Sequence, residues 1–428
     1  MDAWEGGLDQ SPLADSDELA VRGSIERVTG SIIMLIFVSC LVIFVYGMLS
    51  SLLGTIIPGL GDSLHLTNTE IGYIGLAQGF GLAGMSVIAG ALMDRKGKKI
   101  GVTVGLCATI AGLFLLSHAT SLLFVAAAML ILGCGGSVVI VGANAITSDI
   151  ADKRRAAALN FLNVFSGLGG LATPFIAGNF LGANPGRIAG FGIAATLVVL
   201  VVVLFTPMSK PRHRNDIGPG KGGWIFRSSA LYLLSAVTLL YTACEFGIWN
   251  WLPKYLIASG MPSAIALNIL SLGFACGLLC GRIAATTLLW RIAPLTVTIA
   301  CSVSMIATTY MVLNPMSQWM TGATVFLTGV AMAPVFPTTI AIVGKLFKTQ
   351  SATAIGFTVT CGFSGLMMSS PIIGWLSGSN PTGIRHGLLL LPVLSLAIAL
   401  ILICSRGLLR REEGRDRTAP GTLAPRHA

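Results

Sequence analysis

The chain has 428 residues, of which 54% are hydrophobic and only 10% are Asp, Glu, Lys or Arg. A water-soluble domain carries about 25% charged residues, so this composition excludes a soluble enzyme or binding module and indicates an integral membrane protein. The formal net charge of +10 does not indicate nucleic-acid binding, because the basic residues lie in short segments between apolar runs.

The chain begins with an acidic segment without a periodic apolar pattern, and residues 1–30 are predicted to be a disordered cytoplasmic tail. Twelve apolar runs follow, each of roughly 20 residues, the length that crosses a hydrocarbon core of about 30 Å. The nine cysteines lie inside these runs without metal-ligand spacing, so neither a disulfide framework nor a metal site is expected. The predicted transmembrane helices are centred near Val42, Ala83, Ala108, Leu132, Gly170, Leu197, Tyr241, Leu272, Ala300, Val330, Gly362 and Leu396.

Basic residues are distributed unevenly between the two ends of these helices. With the N-terminus in the cytoplasm, all but three of the 27 Lys and Arg residues lie in or beside inner segments. The exceptions are Arg187, Lys254 and Arg385. Because positive charge is retained on the inner side of a membrane, both termini are predicted to be cytoplasmic.

The longest polar interruption, at 207–227, is rich in Pro, Gly, Lys and Arg and reads as a cytoplasmic linker. It separates a six-helix bundle at 31–206 from a second six-helix bundle at 228–405. Residues 406–428 form a second predicted cytoplasmic tail.

An internal repeat supports this division into halves. The fifth predicted helix ends in Gly178-Asn-Phe-Leu-Gly182-Ala-Asn184-Pro185, and the eleventh ends in Gly374-Trp-Leu-Ser-Gly378-Ser-Asn380-Pro381. The offset is 196 residues at every matched position. Because each copy follows the fifth helix of its half, the halves are predicted to be parallel repeats related by an axis along the membrane normal.

The segment Gly90-Ala-Leu-Met-Asp94-Arg95-Lys96-Gly97-Lys98-Lys99 joins the second and third predicted helices. Its charges cannot lie in hydrocarbon, so it must form a tight cytoplasmic loop. The segment resembles the signature loop of the major facilitator superfamily. The resemblance implies twelve helices in two bundles and an alternating-access transporter. It also implies a gating role in which Asp94 faces the start of helix 11 and Arg95 pairs with an acid at the end of helix 4, here Asp149.

Scattered short segments also resemble the fucose-proton-symporter family of sugar transporters. That family places one carboxylate in helix 1 and another in helix 4, four residues before an Asn. In this chain helix 1 has no acid and the helix 4 position is Ile140, so neither the coupling chemistry nor fucose specificity carries over. The matching segments are Gly47 to Pro58, Gly133-Cys-Gly135-Gly136, Ala143-Asn144-Ala145, Trp251-Leu-Pro-Lys-Tyr255, Gly281-Arg282 and Pro334-Val-Phe-Pro337.

Glu245 is the only carboxylate well inside a predicted span. An acid in a membrane is costly and by default functional, so Glu245 is predicted to face the central cavity, bind solute and couple transport to an ion. The alternative is a structural Glu hydrogen-bonded between helices. The coupling ion is expected to be a proton, with sodium as the alternative, and no other cofactor is expected.

Tyr241, Glu245 and Trp249 recur every four residues and share one helical stripe. A carboxylate between two aromatic rings suits a sugar, because the acid accepts from hydroxyls while the rings pack on the apolar face of the pyranose. Asn250 lies about 100° from Trp249 around the helix and is a further candidate ligand. Alternatively, Trp249 and Trp251 belong to an interfacial aromatic belt.

Uncharged polar side chains in the other spans complete the predicted substrate site. Amides and hydroxyls on both halves suit a hydroxyl-rich solute that must also be released. Each of them alone also fits an interhelical hydrogen bond. The candidates are Tyr46, Gln78, Asn144, Asn163, Asn268 and Thr358.

These patterns predict an all-α membrane protein that imports a neutral monosaccharide, such as glucose, galactose or fucose, by proton symport. It is expected to be a monomer in a bacterial inner membrane. The alternatives are a proton-coupled exporter of drugs or other organic solutes and a facilitative sugar uniporter. An enzyme is not expected, because no catalytic triad, metal cluster or nucleotide-binding loop is found.

Overall fold

The computed structural model describes residues 12–151, 155–208, 226–289, 291–314, 317–347, 351–378 and 383–418. Within these ranges every regular element is a helix. The N-terminal half contains α1 (Pro12–Leu64), α2 (Asn68–Lys96), α3 (Lys98–Ser117), α4 (Leu122–Ala151), α5 (Arg155–Ile176, prolonged by the π-helical turn Ala177–Leu181) and α6 (Pro185–Phe205).

The C-terminal half repeats this pattern with six further helices. Two of them have internal irregularities: α8 contains a π-helical segment, and α10 is interrupted briefly in its middle. The helices are α7 (Ser229–Ala258), α8 (Ser263–Leu288, with the π segment Ile269–Ala275), α9 (Pro294–Val312), α10 (Gln318–Met332 and Val335–Leu346), α11 (Ser351–Ser377) and α12 (Ile384–Leu388 and Leu390–Thr418).

Side-chain caps define several of these helix ends. The Thr67 hydroxyl accepts from the backbone N–H of Glu70, whose carboxylate accepts in return from the Thr67 N–H at 2.8 Å. Asn184 caps α6 by accepting from the backbone N–H of Arg187, and Pro185 occupies the first helical position. Both arrangements satisfy N–H groups that a helix start leaves without partners.

Among the described residues, eleven helices of 19 to 30 residues are long and apolar enough to cross a membrane. The remaining helix, α2, has 29 residues and packs between α4 and α11. Each predicted centre lies inside a separate helix. The predicted class, an all-α membrane protein with twelve helices, is therefore confirmed.

The first and last helices extend beyond the predicted boundaries. α1 begins at Pro12, so residues 12–30 are helical rather than part of a disordered tail. Proline is favoured at the first position of a helix, and most of the residues that follow it are compatible with a helix. α12 continues to Thr418, past the predicted boundary at 405, and its Leu409 is buried against the start of α7. Most of the predicted linker at 207–227 lies outside the described residues.

Within each half the helices form one bundle. In the N-terminal half α4 packs on α2 and α3, while α1 packs on α5; in the C-terminal half α7 packs on α11 and α12, while α8 packs on α10. We call the end where α6 stops at Phe205 and α7 starts at Ser229 the linker face. The end where α1 stops at Leu64 and α2 starts at Asn68 is the opposite face.

Candidate functional site

The two halves meet through three helix pairs on the opposite face: α1 with α7, α2 with α11, and α5 with α8. Glycines bring the backbones together. A Cβ atom on Gly54 would lie 1.9 Å from the carbonyl oxygen of Trp249, and one on Gly72 would lie 2.9 Å from that of Ser370. Such approach requires a residue without a side chain. The halves are therefore in direct contact, and the opposite face is closed.

Glu245 lies on α7, close to this contact region. At a rise of 1.5 Å per residue it is about 24 Å from Ser229 and about 20 Å from Ala258 along the helix axis. The side chain is partly buried, and the Tyr241 hydroxyl and the Trp249 indole N–H face its carboxylate. The sequence analysis placed these three residues on one stripe, and in the structure they are neighbours.

The two aromatic residues of this stripe fix its position in the bundle. The Tyr241 ring is 1% exposed and lies 6.2 Å from the ring of Phe336 on α10. Its hydroxyl is buried and, among the described residues, has no hydrogen-bond partner of good geometry. The Trp249 ring packs edge-on against Phe274 of α8, with ring centroids 5.1 Å apart, and faces Gly170 of α5. Trp249 is therefore wedged between the halves, directly on the opposite-face side of Glu245.

The alternative interpretation of Trp249 and Trp251 as an interfacial belt is wrong. Trp249 is 5% exposed, Trp251 is fully buried, and Tyr255 is 4% exposed. The Tyr255 hydroxyl donates to the backbone carbonyl of Leu313 at 2.7 Å. α7 is packed against α1, α11 and α12, and these three aromatic side chains face other helices rather than lipid.

Tyr46 is the residue that the N-terminal half contributes to the site. It lies on α1, is partly buried beside Gly136 of α4, and interacts electrostatically with Glu245 across the boundary between the halves. Asn144 lies eight residues beyond Gly136 on the same stripe of α4, about 12 Å nearer the linker face. It is partly exposed, and no hydrogen bond of its side chain is found within the described part of the chain.

Two further predicted residues use their amides within their own half. The Gln78 amide donates to the backbone carbonyl of Leu49, joining α2 to α1 at 3.3 Å. The Asn163 amide donates to the Leu159 carbonyl of its own helix and is exposed. Asn163 is one turn from Gly167, which contacts α8. Asn163 therefore lies one turn from a contact between the halves, whereas Gln78 joins two helices.

Asn250 and Thr358 are buried in helix contacts away from the stripe. The Asn250 amide donates to the Ser370 hydroxyl at 3.0 Å, and the side chain is 3% exposed. The Thr358 hydroxyl donates to a carbonyl of its own helix and lies 3.1 Å from the Ser235 hydroxyl. Both residues join α7 to α11, so the geometry does not place them against a solute beside Glu245.

Asn268 contributes to the closed face. Its amide and that of Asn179 on α5 exchange two hydrogen bonds of 2.7 and 3.2 Å across the halves. A second polar contact, which the sequence analysis did not include, joins α7 to α2. The Lys254 ammonium donates to the Asn68 amide oxygen at 2.7 Å. The sequence offered one indication of this contact. Lys254 is one of only three Lys or Arg residues that lie outside the inner segments.

The predicted gate differs from expectation in its ion pair. Asp149 pairs with Lys98, the first residue of α3, and Lys98 also donates to the Ala145 carbonyl at 2.9 Å. Arg95, the expected partner, is exposed at the end of α2. Because α3 packs along α4, Lys98 at the start of α3 lies beside the end of α4. Lys98 therefore forms the ion pair with the Asp149 carboxylate in place of Arg95. The side chain of Asp94 lies outside the described residues.

Arg282 is a site residue that the sequence analysis did not select. It lies on α8 and is partly exposed. Its guanidinium interacts electrostatically with both Glu245 and Tyr241 without forming a direct ion pair. The sequence did indicate a possible functional role, because Arg282 is a charged residue inside an apolar run. Its position near the end of that run, however, suggested a role at the membrane boundary.

Two curated bacterial proteins are similar to part of the chain. The fosmidomycin resistance protein of Escherichia coli (strain K12) is 26% identical over 175 residues, which cover 41% of this chain and 43% of that protein. Multidrug resistance protein 1 of Bacillus subtilis (strain 168) is 24% identical over 195 residues, covering 45% and 49%. The chain thus matches less than half the length of each relative.

Solved transporter structures have the same fold over most of the chain. A variant of the nucleoside transporter NupG matches with a TM-score of 0.75 and 14% identity, covering 87% of this chain and 99% of that one. The D-xylose-proton symporter matches with a TM-score of 0.72 and 12% identity, covering 87% and 97%. FucP in its outward conformation has a TM-score of 0.59 and 19% identity, covering 89% and 99%.

The model of the Major Facilitator Superfamily matches residues 39–367, more than three quarters of the chain. This match agrees with the twelve-helix architecture and with the signature loop after α2. It also agrees with the expectation of a transporter rather than an enzyme. The chain therefore belongs to the Major Facilitator Superfamily.

Proposed function

We propose that this transporter imports a small neutral solute rich in hydroxyl groups, a monosaccharide such as glucose, galactose or fucose, with Glu245 as the proton-coupling residue. The observation that carries the proposal is the position of Glu245. It lies between the donors of Tyr241 and Trp249, opposite Tyr46 of the other half and directly beside the closed face. A carboxylate at this position contacts a solute bound between the halves, and its surroundings change when the halves move apart.

The chemistry of the site supports a neutral polyol. Carboxylate and phenol oxygens accept from hydroxyl groups, while Tyr, Trp and the guanidinium of Arg282 donate to hydroxyl oxygens. The rings of Tyr241 and Trp249 offer apolar surface to a sugar ring. With Glu245 ionised, its charge and that of Arg282 cancel, so the site does not favour an ion of either sign over a neutral solute.

The closed face supports a direction of transport. The charge asymmetry of the sequence assigns the linker face to the cytoplasm, and the contacts of Gly54 and Gly72 close the opposite face. On this assignment the structure is inward-facing, and Glu245 releases its proton and the solute to the cytoplasm. The D-xylose-proton symporter among the similar structures supports both the solute class and proton symport. The resemblance of scattered segments to the fucose-proton-symporter family supports the solute class as well.

A proton-coupled exporter of organic molecules is the second candidate. The two similar curated proteins are named for resistance to fosmidomycin and to multiple drugs. A single carboxylate on a stripe of aromatic residues also binds lipophilic cations. In both cases the protein lies in the plasma membrane as a multi-pass monomer and needs no partner other than the lipid bilayer.

Counterflow of radiolabelled hexoses in proteoliposomes tests the proposal. The wild type is compared with Glu245→Gln, and with Glu70→Gln as a control that makes the same change at the start of α2, where Gln still fits a capping box. We expect saturable exchange by all three proteins. Accumulation driven by an inward proton gradient is expected only in the wild type and the control.

Each other outcome selects a different function. Exchange without gradient-driven accumulation in the wild type indicates a uniporter, and accumulation that follows a sodium gradient instead indicates sodium coupling. If monodisperse, reconstituted protein exchanges no hexose, the sugar assignment is wrong. Proton-dependent efflux of a fluorescent lipophilic cation, lost in Glu245→Gln, then establishes the exporter.

A further inference from the structure

The residues of α8 beside the solute site form a second stripe. Phe274, Leu278 and Arg282 follow one another at intervals of four residues, so they lie along nearly the same side of the helix. Phe274 and Leu278 are buried, whereas Arg282 is partly exposed. The stripe therefore leads from the buried contact between the halves towards the linker face and ends in a charged side chain.

The stripe of α8 runs in the opposite direction to the stripe of α7. The contact between the rings of Trp249 and Phe274, with centroids 5.1 Å apart, fixes the register of the two helices. Because α7 starts at the linker face and α8 returns to it, each step of four residues from this contact is about 6 Å nearer the linker face on both helices. Tyr241 is thus level with Arg282, and Glu245 lies one turn away. This register agrees with the electrostatic interaction of Arg282 with both side chains.

Arg282 supplies the positive charge that balances Glu245. The other titratable groups of the described residues that interact electrostatically with the Glu245 carboxyl are Tyr46, Tyr241 and Cys244. Phenol and thiol groups are neutral at pH 7, and an arginine does not lose its proton in a protein. With Glu245 ionised, the two charges cancel. When Glu245 takes the coupling proton, the charge of Arg282 is left without compensation.

The protonated site favours a solute that brings one negative charge, because an uncompensated charge within a membrane is costly. A guanidinium binds a carboxylate through two parallel hydrogen bonds. The Tyr241 hydroxyl, which is buried and has no partner of good geometry among the described residues, and the Trp249 indole N–H suit the hydroxyl groups of a sugar. A sugar with one carboxylate satisfies both requirements. A sugar phosphate, with about two negative charges at pH 7, leaves the site with an excess of negative charge.

We propose that Arg282 is a carboxylate-binding residue of the solute site, and that the transporter carries monoanionic sugar acids, aldonates and uronates, in addition to neutral sugars. The carboxylate binds the Arg282 guanidinium, while the hydroxyl groups bind the donors of α7. Because the Glu245 carboxyl must first take the coupling proton, transport of a sugar acid rests on the function proposed above. One proton and one monoanion then cross the membrane together without net charge.

Glucose and glucuronate test this assignment, because they differ only at C6, where glucuronate has a carboxylate. Exchange and proton-driven uptake of both labelled solutes are measured with the full-length protein in proteoliposomes. Arg282→Gln removes the charge, and Arg282→Lys keeps the charge without the planar fork of donors. Arg291→Gln makes the same change in the exposed turn after α8 and is the matched control.

We expect the wild type and Arg291→Gln to transport both solutes. In Arg282→Gln the ratio of kcat/KM for glucuronate to that for glucose should fall about 10- to 150-fold, the effect of losing a hydrogen bond to a charged group. Arg282→Lys should give an intermediate ratio. An unchanged ratio in folded Arg282→Gln contradicts the binding of the carboxylate by this residue. Competition by glucose 6-phosphate as strong as that by glucuronate contradicts the match of a single charge.

Charge movement in the wild type is a second test, which applies even where Arg282→Gln does not fold. On a solid-supported membrane, symport of glucose with a proton carries a current, whereas symport of glucuronate should follow the proton gradient without one. A glucuronate current as large as the glucose current refutes the charge balance.

The two solutes also separate this assignment from the hexose function. Transport of glucose without glucuronate refutes the role of Arg282 and leaves the hexose function intact. Transport of glucuronate without glucose supports Arg282 and refutes the hexose function. If the folded, reconstituted protein transports neither, both assignments are wrong.

Discussion

Gly54→Ala is expected to shift the protein away from the closed state through the crossing of α1 and α7. The new methyl carbon would lie 1.9 Å from the Trp249 carbonyl oxygen and 2.9 Å from its carbon. Both atoms belong to the backbone and cannot rotate away. An ordinary contact is 3.4 Å or more, so the two helices must separate by about 1.5 Å. Overpacking of this kind costs about 1–3 kcal/mol, which lowers the ratio of closed to open molecules by about 5- to 150-fold.

Fluorine NMR of protein labelled with 5-fluorotryptophan measures this population directly. The chain has seven tryptophans, and a Trp249→Phe variant identifies the resonance of Trp249. In the closed state this ring packs on Phe274 and faces Gly170, so separation of the halves moves its resonance. Gly61→Ala, on the same helix with nothing within 4 Å of its Cβ position, is the control. If folded Gly54→Ala gives the same closed population as Gly61→Ala, the α1–α7 crossing does not determine the state.

Three further substitutions test the assignments of individual side chains. Tyr255→Phe removes a buried hydrogen bond to a carbonyl at the end of α9 and should lower the free energy of unfolding by about 1 kcal/mol, measured by denaturation in detergent. Thr358→Val removes a hydroxyl whose partners are all within the protein, so the apparent KM for solute should stay within about twofold of wild type. A tenfold rise would instead make Thr358 a solute ligand. Lys98→Gln should destabilise the protein by about 1 kcal/mol, and Arg95→Gln much less, because Asp149 pairs with the lysine; equal losses in thermal unfolding would contradict that pairing.

The helices of this fold could be predicted from the sequence because a membrane requires long apolar segments. Each predicted centre lies in its own helix, since the length of a span is fixed by the bilayer rather than by its neighbours. The ends were less predictable. α1 and α12 continue into polar sequence, where the apolar pattern stops but helix-forming residues do not.

The part of the site that lies on one helix could also be predicted. Tyr241, Glu245 and Trp249 become neighbours through helix geometry alone. Arg282 joins them from α8, and only the packing of α8 on the rest of the bundle brings it near. The sequence contains Arg282 but gives no information about the direction in which it points.

The amides were the least predictable residues. Gln78, Asn144 and Asn268 are alike in sequence, each an uncharged polar residue in an apolar span. In the structure Gln78 bonds to a neighbouring helix, Asn268 bonds across the halves, and Asn144 has no side-chain hydrogen bond among the described residues. A polar group in a membrane helix needs a partner, but the sequence does not say whether the partner is protein or solute.

The chemistry of the closed face fits a contact that must break and form again in every cycle. Lipid removes the hydrophobic drive for two membrane helices to associate, so close packing and hydrogen bonds have to hold the halves together. Gly54, Gly72 and Gly374 supply the packing, while the Asn179–Asn268 pair and the Lys254–Asn68 contact supply the polar part. A neutral bond contributes about 1 kcal/mol and a bond from an ammonium about 1.5–3 kcal/mol, and water can replace either when the face opens. Because the closed state rests on several weak contacts, its free energy stays close to that of the open state, and binding of a small solute is sufficient to shift the equilibrium.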